Sequence, residues 1–244
     1  MRQSSRSGGF LAHLAELRTR LVRIALVLVI LVGLGIWMAP AILKLIIAPY
    51  GSQLKVISPT ESVGTYLQVA MTSALACSIP YVLLEIWGFV APALRPREKM
   101  LAGLMVPAGV LLFAIGVAFT WFLMIPAAIQ FLAGFDTTIF KTEWTSQNYV
   151  PFVASLLFWV GLCFELPLAM FILARFGIVT ARMLLRFWRF AVVIIVIIAA
   201  VITPTVDPFN LMLVALPLVA LYFVSILFAG VAGRGRKRLD SGKE

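Results

Sequence analysis

The sequence predicts an all-α membrane protein with six transmembrane helices. Of its 244 residues, 62% are apolar and only 12% are charged, whereas about a quarter of the residues of a soluble domain are charged. Long apolar runs alternate with short polar connectors, and no polar stretch is long enough for a second domain. We therefore expect one curved bundle with a concave face at residues 21–228. It is flanked by a polar segment at residues 1–20 and a basic tail at residues 229–244.

The apolar runs and their breaks define the six expected spans, at about residues 21–38, 66–90, 100–125, 150–176, 190–202 and 209–228. Apolar residues at helical spacing in residues 10–21 predict an amphipathic helix in the membrane interface. Pro40 is expected to end the first span. Residues 41–65 contain two prolines and two glycines, so we expect a cap of short helices and turns there.

The fifth apolar run is too short for an ordinary span. It has 13 uninterrupted apolar residues, or roughly 20 Å of helix, against about 30 Å of hydrocarbon. The connector to the sixth run, at residues 203–208, is tight. The two helices are therefore expected to form a short pair that thins the bilayer locally.

The positive charges predict the orientation. The net charge is +10, and 17 of the 20 Lys and Arg residues fall on the N-terminal side of this topology, all but Lys44, Lys55 and Lys141. The positive-inside rule then places both termini in the cytoplasm. Because the charges lie in connectors and not along a basic face with aromatic side chains, we expect no nucleic-acid partner.

A polar connector at residues 85–99 separates the second and third spans. Pro92 and Pro96 favour a stiff loop, which would hold Phe89 and Leu94 close to Glu98. A carboxylate beside an apolar shelf is suited to bind a guanidinium group through two hydrogen bonds. The alternative is that these charges only anchor the helix ends among lipid headgroups.

Glu165 is predicted to lie near the middle of the membrane. A carboxylate at that depth is costly and typically marks a functional site with a polar partner. Pro167 should bend the helix there. Two alternatives are a protonated glutamate that bonds to a neighbouring helix for stability, and the coupling carboxylate of a proton-coupled secondary transporter.

The sequence does not favour an enzyme, a metal site or a cofactor. His13 is the single histidine, and Cys77 and Cys163 both lie in apolar runs, where thiols act as small hydrophobic groups. An intramembrane protease needs a nucleophile with a base or two facing aspartates. Asp207 is the one aspartate near a span, where it could instead cap a helix.

Five motifs in order along the chain resemble the TatC family, the core subunit of the twin-arginine protein translocase. They are HLAELRTRL at 13–21, IAPY at 47–50, IWGFVAPALRPREK at 86–99, CFELP at 163–167 and ITPTVDPFN at 202–210. The resemblance implies a receptor in the cytoplasmic membrane that binds the twin-arginine signal peptides of folded cargo. It further implies TatA- and TatB-type single-span partners, transport driven by the proton-motive force, and a possible homo-oligomer.

The resemblance also implies roles for individual residues. Glu98 matches the family's carboxylate for the twin arginines, and Glu16 matches its helper. The other matched positions are the flanking Phe89 and Leu94, the function-associated Arg18 and Pro49, the partner-contacting Glu165, and Asp207 in the outer connector. The chain departs from the family pattern at two positions. Glu85 replaces a glutamine found in some relatives and would add negative potential, and Leu211 replaces a polar residue.

Overall fold

The computed structural model describes residues 4–90, 96–135, 143–203 and 207–240, with side chains for residues 14–89, 103–135, 143–203 and 207–233. Within these ranges the chain forms nine α-helices. They are α1 (Ser4–Ile47), α2 (Glu61–Val90), α3 (Pro96–Phe119), α4 (Ile125–Gly134), α5 (Ser146–Cys163), α6 (Leu166–Phe176), α7 (Ala181–Arg186), α8 (Trp188–Ile202) and α9 (Pro208–Asp240).

The helices confirm the all-α membrane architecture. In the part of the chain that the structure describes, five helical stretches are long and apolar enough to cross a membrane, and α8 is a sixth, shorter apolar helix. The 15 residues of α8 measure roughly 22 Å, which confirms the expected short fifth helix. The sixth span was expected to be short as well, but it is not. The membrane-spanning part of α9 has 26 residues.

The expectation that Pro40 ends the first span is wrong. Helix α1 is 44 residues long and passes through Pro40 to Ile47, so residues 10–21 are part of the same helix as the first span. A proline removes one helical hydrogen bond, and membrane helices tolerate this loss when neighbouring groups satisfy the freed carbonyl. The chain leaves α1 through a 3₁₀ turn, Ala48–Tyr50, and reverses at Gly51, whose φ of 74° lies in the left-handed region that glycine favours.

Two further spans are interrupted near prolines. A π-helical turn, Thr120–Met124, joins α3 to α4 just before Pro126, so the third span extends beyond its expected end to Gly134. The fourth span stops at Cys163 and resumes at Leu166, an interruption at the place where Pro167 was expected to bend the helix. Such interruptions are expected near a proline, which supplies no N–H to the helical hydrogen bonds.

Helices α1 and α2 cross at very close range. A Cβ atom added to Gly35 on α1 would lie 2.6 Å from the carbonyl oxygen of Ala70 on α2, so only glycine permits this approach. The main core lies next to this crossing and includes the fully buried Val69, Leu156 and Leu218. Helices α1, α2, α3 and α5 also border an open apolar groove of about 540 Å³.

The connector at residues 85–99 is mostly helical. Helix α2 continues to Val90 and α3 begins at Pro96; residues 91–95, with Pro92 and Leu94, lie outside the described part. The end of α2, the start of α3 and the stretch of α1 around Glu16 form what we call the N-terminal face. The opposite face carries what we call the cap, residues 48–61 and 143–150.

Candidate functional site

A guanidinium group lies between two carboxylates on the N-terminal face. Arg20 and Glu16 are one turn apart on α1, and Arg20 Nη2 donates to Glu16 Oε1 at 2.7 Å, with Nε at 3.2 Å from the same oxygen. Arg20 Nη1 donates across to α2, to Glu85 Oε2 at 2.8 Å. The three side chains therefore join α1 to α2 in one charge-assisted network.

Glu85 is the buried centre of this network. Its side chain is only 9% exposed, and its second oxygen, Oε1, accepts a hydrogen bond of 2.9 Å from the hydroxyl of Tyr81 one turn earlier. Arg23 lies farther away, with Nη1 at 3.9 Å from Oε1, and its own side chain is 59% exposed. A carboxylate buried to this degree must be paired and hydrogen-bonded, and Glu85 meets both conditions.

Gly88 provides the space that Arg20 occupies. A Cβ atom on Gly88 would lie 2.4 Å from Arg20 Nη1, so any larger residue would displace the guanidinium. The carbonyl oxygen of Glu85 accepts a further bond of 3.2 Å from the same nitrogen. Here α2 contributes a glycine, a backbone carbonyl and a carboxylate to the binding of a single arginine. We call this arrangement the guanidinium slot and define it by Glu16, Glu85 and Gly88.

The predicted signal-peptide residues are only partly described. Glu98 is the third residue of α3, so its backbone is on the N-terminal face, but its side chain is outside the described part, as is Leu94. Phe89 is half-buried in the last turn of α2, and Arg18 is exposed on α1. Of the predicted residues, Glu16 is thus the one whose contact with a guanidinium the structure describes.

Glu165 lies at the break between α5 and α6. Its Oε1 is buried and has no hydrogen-bond partner in the described part of the chain. A Cβ atom on Gly109 of α3 would lie 3.1 Å from Glu165 Oε2, so the carboxyl group packs against a glycine that leaves room for it. An unsatisfied buried acceptor costs about 1–3 kcal/mol, and this cost is removed only if a donor reaches it.

On the cap, Glu61 links two loops, and the sequence analysis did not predict this contact. Its oxygens accept bonds from the backbone N–H of Ile57 at 2.8 Å and of Gln147 at 2.9 Å, and from the hydroxyl of Ser146 at 2.8 Å. A longer bond of 3.3 Å comes from the N–H of Ser58. Nearby, Pro49 is in the 3₁₀ turn, next to a Tyr50 ring that packs on Trp144 and Tyr149.

Asp207 caps the last helix. Its Oδ1 accepts from the backbone N–H of Asn210 at 2.7 Å, and Oδ2 accepts from the Asn210 side-chain amide at 2.9 Å. Asn210 is itself buried. This is ordinary helix N-capping, one of the two roles expected from the sequence.

Sequence reasoning missed several residues of these networks, namely Arg20, Tyr81, Gly88 and Glu61. Two signals were available, because Glu16 with Arg20 and Tyr81 with Glu85 are both i, i+4 pairs. The contact between α1 and α2 has no such signature. Among the described residues, no group of three or more His, Cys, Asp or Glu is placed to hold a metal ion.

Comparison with known proteins agrees with the fold and the motifs. The family model of the Sec-independent protein translocase protein TatC matches residues 12–217. The chain is 35% identical to the Sec-independent protein translocase protein TatC of Helicobacter pylori, over 89% of this chain and 85% of that protein. It is 34% identical to the chloroplastic protein of the same name from Arabidopsis thaliana, over 91% of this chain and 66% of that protein.

A solved structure gives the same result. A crystal structure of the twin-arginine translocase receptor TatC superimposes with a TM-score of 0.83 at 30% identity, covering 90% of this chain and 99% of the other. These matches assign a multi-pass membrane component of a protein translocase and not an enzyme. The chain therefore belongs to the TatC family of Sec-independent protein translocase proteins.

Proposed function

We propose that this chain is the signal-peptide receptor of a twin-arginine translocase in the cytoplasmic membrane, with both termini in the cytoplasm. On this proposal the N-terminal face is the cytoplasmic binding surface. Glu98 binds the twin arginines together with Glu16, while Phe89 and Leu94 contact an apolar residue of the peptide. Arg18, which is exposed on the same stretch of α1, borders the surface.

The guanidinium slot is the observation that carries this proposal. Glu16 and Glu85 hold an arginine on the N-terminal face, close in sequence to the end of α2 and the start of α3. Exposed single ion pairs contribute only about 0–1 kcal/mol. Tight binding of an arginine therefore needs a partly desolvated acid with a second acceptor, and this face supplies both.

Glu165 is proposed to contact a TatA- or TatB-type single-span helix. Support comes from its buried oxygen, which has no hydrogen-bond partner among the described residues, and from the rarity of such groups inside membranes. Transport of the cargo would then depend on assembly with these partners and on the proton-motive force. Membership of a protein translocase family does not support the alternative of a solute transporter.

The test is peptide binding to the detergent-solubilised protein. A signal peptide with Arg-Arg should bind, and the matched Lys-Lys peptide should bind much more weakly. An ammonium group cannot form the bidentate hydrogen bond that a guanidinium group forms with a carboxylate. Glu98→Gln should abolish the difference. Glu143→Gln removes an acid from the cap on the opposite face and is the matched control, expected to leave binding unchanged. Equal binding of both peptides by the unmodified protein would contradict the proposal.

A further inference from the structure

Arg20 uses all three nitrogens of its guanidinium group inside the guanidinium slot. Nε and Nη2 bond to Glu16, and Nη1 bonds to both the side chain and the backbone carbonyl of Glu85. Four hydrogen bonds, three of them to carboxylate oxygens, thus engage most of the five N–H donors of the group. The slot is therefore occupied by an arginine of the chain itself.

The slot cannot be left empty at low cost. The Glu85 side chain is 9% exposed, and Arg20 Nη1 at 2.8 Å is the closest cation among the side chains that the structure describes. Removing one partner of a buried ion pair is strongly destabilising, because the other charge stays buried without compensation. A guanidinium group in the slot therefore stabilises the ionised Glu85, whether the group belongs to this chain or to a bound peptide.

The slot is also accessible from one side. Glu16 is 35% exposed at its side chain and Arg20 is 19% exposed, so an incoming group can approach along α1. Arg23 keeps a second positive charge 3.9 Å from Glu85, which limits the cost while one arginine leaves and another enters. The departing Arg20 side chain is long enough to extend towards the lipid headgroups.

We propose that Arg20 is a resident guanidinium that an arginine of the signal peptide replaces when it binds. This proposal rests on the proposed receptor function and specifies which acids receive one of the two arginines. The exchange preserves charge and hydrogen-bond count, since one guanidinium is traded for another. On this proposal Glu85 is a binding residue together with Glu16.

The resident arginine would make the receptor selective. A lysine can neither span Glu16 and Glu85 nor lie flat over Gly88, so it cannot offset the loss of the Arg20 contacts. Occupancy by Arg20 also lowers the apparent affinity of every peptide by the fraction of time that the slot is free. A substitution that weakens the binding of Arg20 in the slot should therefore strengthen peptide binding. If Arg20 had only a structural role, the same substitution would leave peptide binding unchanged or weaken it.

The test compares the affinities of Arg20→Gln, Arg20→Lys and the unmodified full-length protein in detergent for fluorescent Arg-Arg and Lys-Lys signal peptides. We expect both variants to bind the Arg-Arg peptide at least about threefold more tightly and to lose part of the discrimination against Lys-Lys. Arg182→Gln removes an exposed positive charge from α7 and controls for a general electrostatic gain. If Arg20→Gln does not fold, Arg20→Lys keeps the charge and carries the test.

A photoreactive group next to the first arginine of the peptide provides a second readout. We expect adducts on α2 near Gly88, and more of them in Arg20→Lys. The proposed exchange would be overturned if the Arg20 variants bound the Arg-Arg peptide no more tightly than the unmodified protein does. It would also be overturned if Arg182→Gln gained the same affinity, or if no adducts formed on α2. A failure of the receptor proposal is distinct, since the unmodified protein would then not distinguish Arg-Arg from Lys-Lys.

Discussion

The Ser146 hydroxyl donates a hydrogen bond of 2.8 Å to Oε1 of Glu61. These residues begin α5 and α2 respectively, and they are 85 positions apart in the chain. Glu61 is 7% exposed and Ser146 is 7% exposed, so the bond is shielded from water. The bond fixes the start of the fourth span against the start of the second.

Glu61→Ala should destabilise the cap strongly. The substitution leaves two backbone N–H groups of the first loop, the N–H of Gln147 and the Ser146 hydroxyl without their acceptor. Hydrogen bonds to a charged group contribute about 1.5–3 kcal/mol each, and an unsatisfied buried donor adds to the loss. We expect the free energy of unfolding to fall by about 3 kcal/mol, measured by thermal unfolding in detergent.

Two matched variants bracket this result. Ser146→Ala removes one of the four donors and should lose about 1 kcal/mol. Lys55→Gln breaks the ion pair with Glu143, whose side chains are 59% and 38% exposed, and should lose less than about 1 kcal/mol. A Glu61→Ala protein as stable as Lys55→Gln would show that Glu61 does not hold the cap.

Gly35→Ala should separate α1 from α2. The new Cβ would meet the Ala70 carbonyl oxygen at 2.6 Å, and backbone cannot yield as a flexible side chain can. Overpacking of this kind costs about 1–3 kcal/mol. Gly33→Ala on the same helix is the control, because nothing lies within 4 Å of its Cβ position. Thermal unfolding should show a loss for Gly35→Ala alone.

Tyr149→Phe should weaken the contact between α5 and the end of α1. Tyr149 is 0% exposed, and its hydroxyl donates to the carbonyl oxygen of Ile46 at 2.9 Å. The loss is expected to be about 1 kcal/mol in the free energy of unfolding. Tyr66→Phe, at an exposed position of α2, should leave the melting temperature unchanged. Equal melting temperatures for the two variants would contradict the assignment.

Glu165→Ala should weaken association with a single-span partner and leave signal-peptide binding largely intact. The reason is that the carboxyl group lies at the break between α5 and α6, against Gly109 of α3, and makes none of the hydrogen bonds that hold Arg20 in the guanidinium slot. Glu165→Gln keeps an acceptor oxygen of nearly the same shape and should retain most of the association. Co-purification of the partner with each variant measures this effect. Normal recovery with Glu165→Ala would refute the proposed contact.

Much of the fold follows from local pattern. Apolar runs identified all six spans, and the break before Pro167 was predicted because a proline removes a donor at a known position. The same reasoning was wrong at Pro40, where α1 continues to Ile47. A proline's effect depends on whether neighbours satisfy the carbonyl that it frees, and this information is not local.

The candidate site was predictable only where its residues lie close in the chain. Glu16 and Glu98 were identified through motifs, and the i, i+4 spacing of Glu16 and Arg20 indicates a pair on one helix. The link from Arg20 to Glu85 crosses 65 residues and depends on the register between α1 and α2. That register is set by the close crossing at Gly35, which no single-sequence pattern reveals.

The break at Glu165 divides the fourth span between two groups of neighbours. Helix α5 packs on α2 and α3, whereas α6 packs on α9. Pro167 supplies no donor to the turn between them, so α6 can tilt without rotating α5. A displacement of α9 would consequently be passed mainly to α6, which shares a much larger contact with α9 than α5 does. The joint is also where the chain places its buried acid, so the position of that carboxyl group depends on how the two halves are aligned.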